Sequence, residues 1–113
     1  MKGDLPFLRH MLDAVQRVAS YLKDVRRDEF LDDPEKQDAV IRQLELIGEA
    51  AGRVSASTRG ANVEIPWRQI TGMRHKLIHD YFVVDLDVVW KTATEDVPGL
   101  GPLLEKAIES RAS

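Results

Sequence analysis

The hydrophobic positions along the chain recur at alternating steps of three and four residues, which is the spacing of amphipathic α-helices. Two long stretches show it most clearly, the first with Leu5, Leu8, Leu12, Val15, Ala19 and Leu22, the second with Val40, Leu44, Ile47, Ala51 and Val54. An aspartate stands just before a proline at each start: Asp4 and Pro6, then Asp33 and Pro34. This order is typical of an N-cap followed by a proline in the first helical turn, so both stretches are predicted to be long helices.

The second half of the chain continues the helical pattern. Pro66 opens a third predicted helix, over residues 66–80, whose apolar stripe is Trp67, Ile70, Leu77, Ile78 and Tyr81. Asp85 is a predicted cap for a fourth helix, whose inward residues are Leu86, Val89, Trp90, Ala93 and Val97. A short final helix follows the break at residues 98–102, Phe30 and Leu31 suggest one extra turn, and residues 57–66 are a predicted loop. No alternating stretch is longer than "FVVDL". We therefore predict one all-α domain, residues 1–113, folded as an up-and-down bundle of four to five helices.

The second helix also carries a charged face and two glycines. Its charged residues, opposite the apolar stripe, are Asp38, Arg42, Glu45, Glu49 and Arg53. Gly48 and Gly52 lie one turn apart, and each costs about 1 kcal/mol relative to alanine inside a helix. They indicate either a close helix crossing or simple tolerance of glycine.

Composition excludes several classes of function. The chain has 113 residues and no cysteine, which rules out disulfides, thiol catalysis and thiolate zinc sites. No signal peptide or membrane-spanning run is visible, so we expect a cytoplasmic protein that does not contact membranes. The net charge is −3 and the pI is about 5.6, so any contact with nucleic acid must come from a local basic patch.

The stretch "RHKLIHDYF", residues 74–82, breaks the amphipathic pattern. On a helical wheel Arg74 falls inside the apolar stripe, where an unpaired guanidinium is costly, so a carboxylate, a cleft or an interface is expected beside it. His79 points about 140° away from Arg74 on the same wheel. Either the helix distorts or ends near Ile78, or a second copy of the chain completes the site, and this favours a homodimer.

Arginine and histidine together suit attack on a phosphodiester without a metal or other cofactor. His79 can exchange a proton with a ribose hydroxyl, and Arg74 can hold two phosphate oxygens. Auxiliary contacts to RNA are predicted from Arg68, His75 and Lys76, which supply the local positive field. Structural alternatives remain open: surface roles for the charged residues, a core role for Tyr81, and a helical zinc pair of His75 and His79.

Three segments carry a family resemblance. "IRQLELIGEAAGRVS" (41–55), "IPWRQITGMRHKLIHDYF" (65–82) and "DLDVVWKTATEDVPGL" (85–100) closely resemble the HepT-like branch of the HEPN superfamily. The family motif is R-x-x-x-x-H-x-Y with a polar residue after the arginine. Arg74, His75, His79 and Tyr81 match it at every position, and the likeness runs from about Pro6 to the last helix.

The resemblance implies a homodimeric HEPN-like fold in which two motifs line one cleft. It implies a metal-independent endoribonuclease toxin that acts on RNA such as tRNA or mRNA. The implied partner is a minimal nucleotidyltransferase antitoxin, which transfers AMP to the motif tyrosine, here Tyr81. Glu49 belongs to the family signature, and its place on the charged face favours an ion-pair or interface role over catalysis. The alternative function is a non-catalytic module that binds a nucleotidyltransferase or a nucleotide.

Overall fold

The computed structural model describes residues 3–79 and 83–112, which form a helical bundle with one very short strand pair. The helices are α1 (Asp4–Leu22), α2 (Arg27–Leu31), α3 (Pro34–Gly52), α4 (Ala56–Ala61), α5 (Trp67–Thr71), α6 (Met73–Leu77), α7 (Leu86–Lys91) and α8 (Leu100–Ala112). A π-helical turn, Thr92–Asp96, follows α7, and the strands are β1 (Ile78–His79) and β2 (Val83–Val84). The predicted all-α fold is confirmed.

Helices α1 and α3 pack along each other and supply much of the core. All five inward residues predicted for the second helix are buried, four of them in α3 and Val54 just after it, whereas the stripe predicted for α1 was slightly off. Met11 and Val18 are buried there, whereas Leu12 is half-buried and Ala19 is exposed. Both sets fit a spacing of three and four, so periodicity alone could not choose between two neighbouring faces.

Asp4 does not cap its own helix, as the sequence suggested. It is the first residue of α1, and Gly3 occupies the N-cap position. Its carboxylate instead accepts hydrogen bonds from the backbone N–H of Ser55 at 3.0 Å, from the Ser55 hydroxyl at 2.6 Å and from the Thr58 hydroxyl. A guanidinium nitrogen of Arg111 in α8 lies 3.6 Å away. Asp4 therefore ties together the ends of three helices.

The segment predicted as a loop, residues 57–66, is partly helical. Ser55 caps α4 by accepting a hydrogen bond from the backbone N–H of Thr58. Arg59 then donates to the carbonyls of Ala51 and Val54 at the end of α3, at 2.8 and 3.1 Å. These hydrogen bonds to the end of the preceding helix stabilise a helix that "STRGA" would not form on local propensity.

Gly48 marks a close helix crossing. A Cβ atom added there would stand 3.0 Å from the carbonyl oxygen of Ile70 in α5, whereas one added at Gly52 would meet nothing within 4 Å. Of the two explanations for the glycines, close packing therefore holds for Gly48 and tolerance for Gly52. The crossing seats α5 and α6 directly against α3.

The third helix, predicted over residues 66–80, is shorter and is broken at Gly72. Helix α6 ends at Leu77, and the chain enters β1, whose residues pair antiparallel with β2 in the register Ile78 with Val84 and His79 with Val83. The backbone N–H of Asp85 also donates to the Leu77 carbonyl at 2.9 Å. The β-branched residues around positions 78–84 favour this extended pairing over a further helical turn.

Two of the predicted helix caps are confirmed, and the elements of the last third of the chain follow the predicted order. Asp33 caps α3 and Asp85 caps α7, each through its side chain, as the sequence indicated. The π-helical turn closes with a hydrogen bond from the Val97 N–H to the Thr92 carbonyl at 2.9 Å. In the described part of the chain, no helix is long and apolar enough to cross a membrane.

Candidate functional site

The predicted functional side chains of α5 and α6 lie on the outside of the bundle. Arg68, Arg74, His75 and Lys76 are all exposed. The prediction that Arg74 sits in a buried stripe is therefore wrong. The buried residues of this region are Trp67, Ile70, Met73 and Leu77, so the apolar face is centred nearer Met73, which the wheel left out, and Arg74 falls at its edge.

Arg74 lines an open cleft between α6 and α3. The cleft, here called the motif cleft, has a volume of about 450 Å³ and is lined by Arg42, Glu45, Leu46, Gly48, Glu49, Thr71 and Arg74. Two arginines and two glutamates thus share one solvent-exposed depression. The missing side chain at Gly48 brings α3 and α5 together, and this closeness places Arg74 opposite the charged face of α3.

Glu49 takes part in an ion pair, as its place on the charged face suggested. Its carboxylate lies 3.7 Å from a guanidinium nitrogen of Arg53 one turn later, and both side chains are largely exposed. Exposed pairs of this kind contribute about 0–1 kcal/mol. The pair with Arg53 therefore holds Glu49 only weakly.

A second groove continues from the motif cleft along α1 and α3. It has a volume of about 420 Å³, and Arg42, Leu46 and Glu49 line both depressions. Its far wall carries Phe7 and Arg17. Arg42 is not among the predicted site residues, although its place on the charged face of α3, one turn before Leu46, is visible in the sequence.

Lys76 lies on the other side of α6 from Arg74. Its ammonium nitrogen is 3.0 Å from a carboxylate oxygen of Asp96 in the π-helical turn. About half of each side chain is exposed. Successive residues of a helix point in directions about 100° apart. The predicted auxiliary residue His75 therefore stands between the side of α6 that carries Arg74 and the side that carries Lys76.

The chain matches a family of ribonucleases. The sequence profile described as "Ribonuclease HepT-like" matches residues 11–107. The chain belongs to the HepT-like ribonuclease family. A protein of Thermococcus cleftensis named "Probable ribonuclease HepT" is 41% identical over 100 residues, which cover 88% of this chain and 91% of that protein. A protein of Caldanaerobacter subterraneus subsp. tengcongensis named "Putative RNase" is 33% identical over 109 residues, or 96% and 97% of the two chains. No solved structure matches the chain significantly.

The remaining motif residues of this HepT-like chain follow α6. The backbone of His79 lies in β1, two residues beyond the end of the helix. The prediction for Tyr81 falls on residues 80–82, which lie outside the described residues. His75 and His79 do not form a zinc pair on one helix, because His75 lies in α6 and His79 lies in β1. Among the described residues there is no group of three or more His, Asp or Glu side chains placed to hold a metal ion.

The end of α6 also changes the geometry of the HepT-like motif. The divergence of about 140° between Arg74 and His79 assumed an unbroken helix. Because the backbone leaves the helix at Leu77 and turns into β1, that angle no longer describes the two residues. The helix-end alternative that the sequence left open is the one adopted.

Proposed function

We propose that this chain is a metal-independent endoribonuclease that cuts RNA with Arg74 and His79. Membership of the HepT-like family is the observation that carries the proposal. The structure supports it by presenting Arg74 in an open cleft, with His75 exposed beside it and His79 just beyond the helix.

The proposed chemistry is an internal transesterification. His79, in its neutral form, accepts the proton of a ribose 2′-hydroxyl, and the 2′-oxygen attacks the adjacent phosphorus. The bond from phosphorus to the 5′-oxygen breaks, and that oxygen takes up a proton from water or an imidazolium. Arg74 binds two phosphate oxygens and stabilises the added charge in the transition state. The products are a 2′,3′-cyclic phosphate and a 5′-hydroxyl end.

We further propose that the enzyme acts as a homodimer. Arg74 is exposed and needs no second copy of the chain to bury it. Support comes instead from the family resemblance and from the α1–α3 groove. Leu46 is one of the few large hydrophobic residues of the described chain that are exposed. Arginines as well as glutamates lie around it, so two copies related by a two-fold axis can place opposite charges against each other.

In the cell we propose a toxin–antitoxin role with a minimal nucleotidyltransferase as the partner. AMP on Tyr81 would add a phosphate next to the motif, where it competes with RNA for Arg74. The rival function is a non-catalytic module that binds the transferase or a nucleotide. The presence of both Arg74 and His79 favours catalysis, since a binding module has no need for the pair.

Expression in a bacterial host tests this proposal. Wild-type protein should arrest growth, and Arg74→Ala and His79→Ala should each relieve the arrest while remaining folded by circular dichroism. Glu105→Gln, on the exposed side of α8, is the matched control and should arrest growth like wild type. Equal arrest by wild type and both motif variants would place the toxic activity elsewhere on the molecule.

A further inference from the structure

A second cavity lies on the opposite side of α6 from the motif cleft. This rear cavity, of about 490 Å³, is bounded by α5, α6, the π-helical turn and the start of α8. Its apolar part is formed by the buried residues Ile70, Met73, Val97 and Leu100. The volume falls within the range of small-molecule sites, and the apolar lining suits a flat, weakly polar group.

Two unfavourable features of the fold coincide at the rear cavity. The first is the π-helical turn Thr92–Asp96, a rare conformation that is frequent at functional sites. The second is Thr92 itself, which lines the cavity, is 1% exposed and has a hydroxyl with no hydrogen-bond partner among the described residues. Buried hydroxyls are normally paired. Local violations of this kind concentrate at binding sites.

The polar groups around the cavity accept more hydrogen bonds than they donate. Glu95 and Asp96 contribute carboxylates, Gln69 contributes an amide, and the ammonium of Lys76 already faces Asp96 at 3.0 Å. Carboxylates repel a phosphate group but accept hydrogen bonds from an amine. The apolar lining includes the thioether of Met73, a group that packs favourably against aromatic rings. This combination fits a nucleobase with an exocyclic amino group.

The rear cavity is close to the motif. Helix α6 has five residues and is therefore about 7.5 Å long. Arg74 faces the motif cleft, whereas Met73 and Lys76 face the rear cavity. A single strand whose phosphate lies at Arg74 can therefore cross α6 over His75 and bring a neighbouring base to the cavity.

We propose that the rear cavity is a nucleobase subsite, which binds one base of the RNA next to the cleavage point and sets base preference. That the ligand is RNA rests on the proposed ribonuclease function. The chemistry of the cavity predicts that adenine, cytosine and guanine bind better than uracil, which has no exocyclic amine to donate to the carboxylates.

Nucleosides without phosphate give the most direct test. Adenosine, cytidine, guanosine and uridine are titrated separately into the ¹⁵N-labelled full-length chain, and the amide resonances are followed by NMR. The first three should shift the resonances of Met73, Thr92 and Leu100 at millimolar concentrations, and uridine should shift them least. No shift at these residues with any nucleoside would overturn the proposal, even if the protein cuts RNA.

Thr92→Val separates a ligand role from a structural one. Valine has the same shape and removes only the unpaired hydroxyl, so a purely structural view predicts equal or higher thermal stability and unchanged nucleoside binding. The proposal predicts equal or higher stability together with nucleoside binding weakened about fivefold to tenfold. Unchanged binding in both Thr92→Val and the rim variant Gln69→Ala would contradict the subsite.

Cleavage products separate this inference from the proposed function. RNA fragments made by wild type and by Gln69→Ala are sequenced, and the base next to each cut is counted. A changed base preference with retained cleavage supports the subsite, and an identical preference in the two proteins overturns it. Nucleoside binding at the cavity by a protein that cuts no RNA would refute the ribonuclease proposal and leave the nucleobase site standing.

Discussion

The carbonyl oxygen of Ile70 lies 3.0 Å from the point where a Cβ atom would stand on Gly48. This contact fixes how closely α5 approaches α3, and α6 follows α5 after the single residue Gly72. It therefore also fixes the width of the motif cleft, in which Arg74 faces Glu45 and Glu49. A glycine that looks unfavourable in the sequence is thus a requirement of the site.

Replacing Gly48 should harm stability despite the better helix propensity of alanine. Alanine gains about 1 kcal/mol in a helix, but the clash with a backbone carbonyl costs about 1–3 kcal/mol. We expect Gly48→Ala to lower the free energy of unfolding by about 1 kcal/mol in urea denaturation. The matched control is Gly52→Ala, which meets nothing within 4 Å and should be neutral or stabilising. Equal effects of the two substitutions would mean that the crossing is not tight.

The Asp4 network should make the fold sensitive to acid. Hydrogen bonds from the side chains of Ser55 and Thr58 lower the pKa of Asp4 to about 2, against an ordinary value of 3.8. A carboxyl group with a lowered pKa in the folded state stabilises the fold above its unfolded pKa, and this contribution is lost as the pH falls from about 4 to 2. At neutral pH it amounts to about 1–2 kcal/mol, after allowance for solvent screening at the end of the bundle.

Asp4→Asn should therefore destabilise the protein at pH 7 and have little effect near pH 2. Thermal melting of wild type and variant across this range measures the difference. Asp13→Asn is the control, because Asp13 forms an exposed pair with Arg17 at 3.2 Å and should change stability by less than about 1 kcal/mol. A constant difference between Asp4→Asn and wild type at all pH values would contradict the lowered pKa.

Periodicity and capping predicted the helices that local sequence can specify. The cap of Asp33 before Pro34 and the stripe from Val40 to Val54 both depend on residues within a few positions of one another, and both are correct. Helix α4 and the true role of Asp4 could not be predicted in this way. They depend on contacts between residues more than 50 positions apart, which no local pattern reveals.

The geometry of the motif could not be predicted from the sequence. The motif spacing from Arg74 to His79 is visible in the sequence, whereas the end of α6 at Leu77 depends on pairing with residues 83–85. That pairing removes the helical angle between Arg74 and His79, whereas Arg74 is exposed because the buried face of α5 and α6 is centred nearer Met73. The rear cavity was missed altogether, because its lining comes from three separate helices and from a π-helical turn.

The proposed dimer predicts a mass of two chains in solution. The chain has a mass of 12.8 kDa, so light scattering at micromolar concentration should give about twice that value. Leu46→Glu places a charge at the centre of the proposed interface and should weaken association about tenfold or more. Val63→Glu, at an exposed apolar residue away from the groove, should not. A monomeric wild-type protein would refute the dimer.

The proposed role of Tyr81 predicts a covalent mark. After co-expression with a minimal nucleotidyltransferase, intact-mass spectrometry should find adenylyl adducts on wild type and none on Tyr81→Phe. The variant should still fold and keep at least part of its toxicity, because Arg74 and His79 are unchanged. Neutralised toxicity without any adduct on wild type would replace modification with inhibition by binding.

Cleavage by the purified protein in the presence of EDTA tests the central claim most directly. Wild type should cut RNA and leave 2′,3′-cyclic phosphate or its hydrolysis product, identified by mass spectrometry. Arg74→Ala and His79→Ala should each reduce the rate about 10²–10⁴-fold, while Glu105→Gln retains it. Activity that requires a divalent cation, or that survives unchanged in both motif variants, would contradict the account.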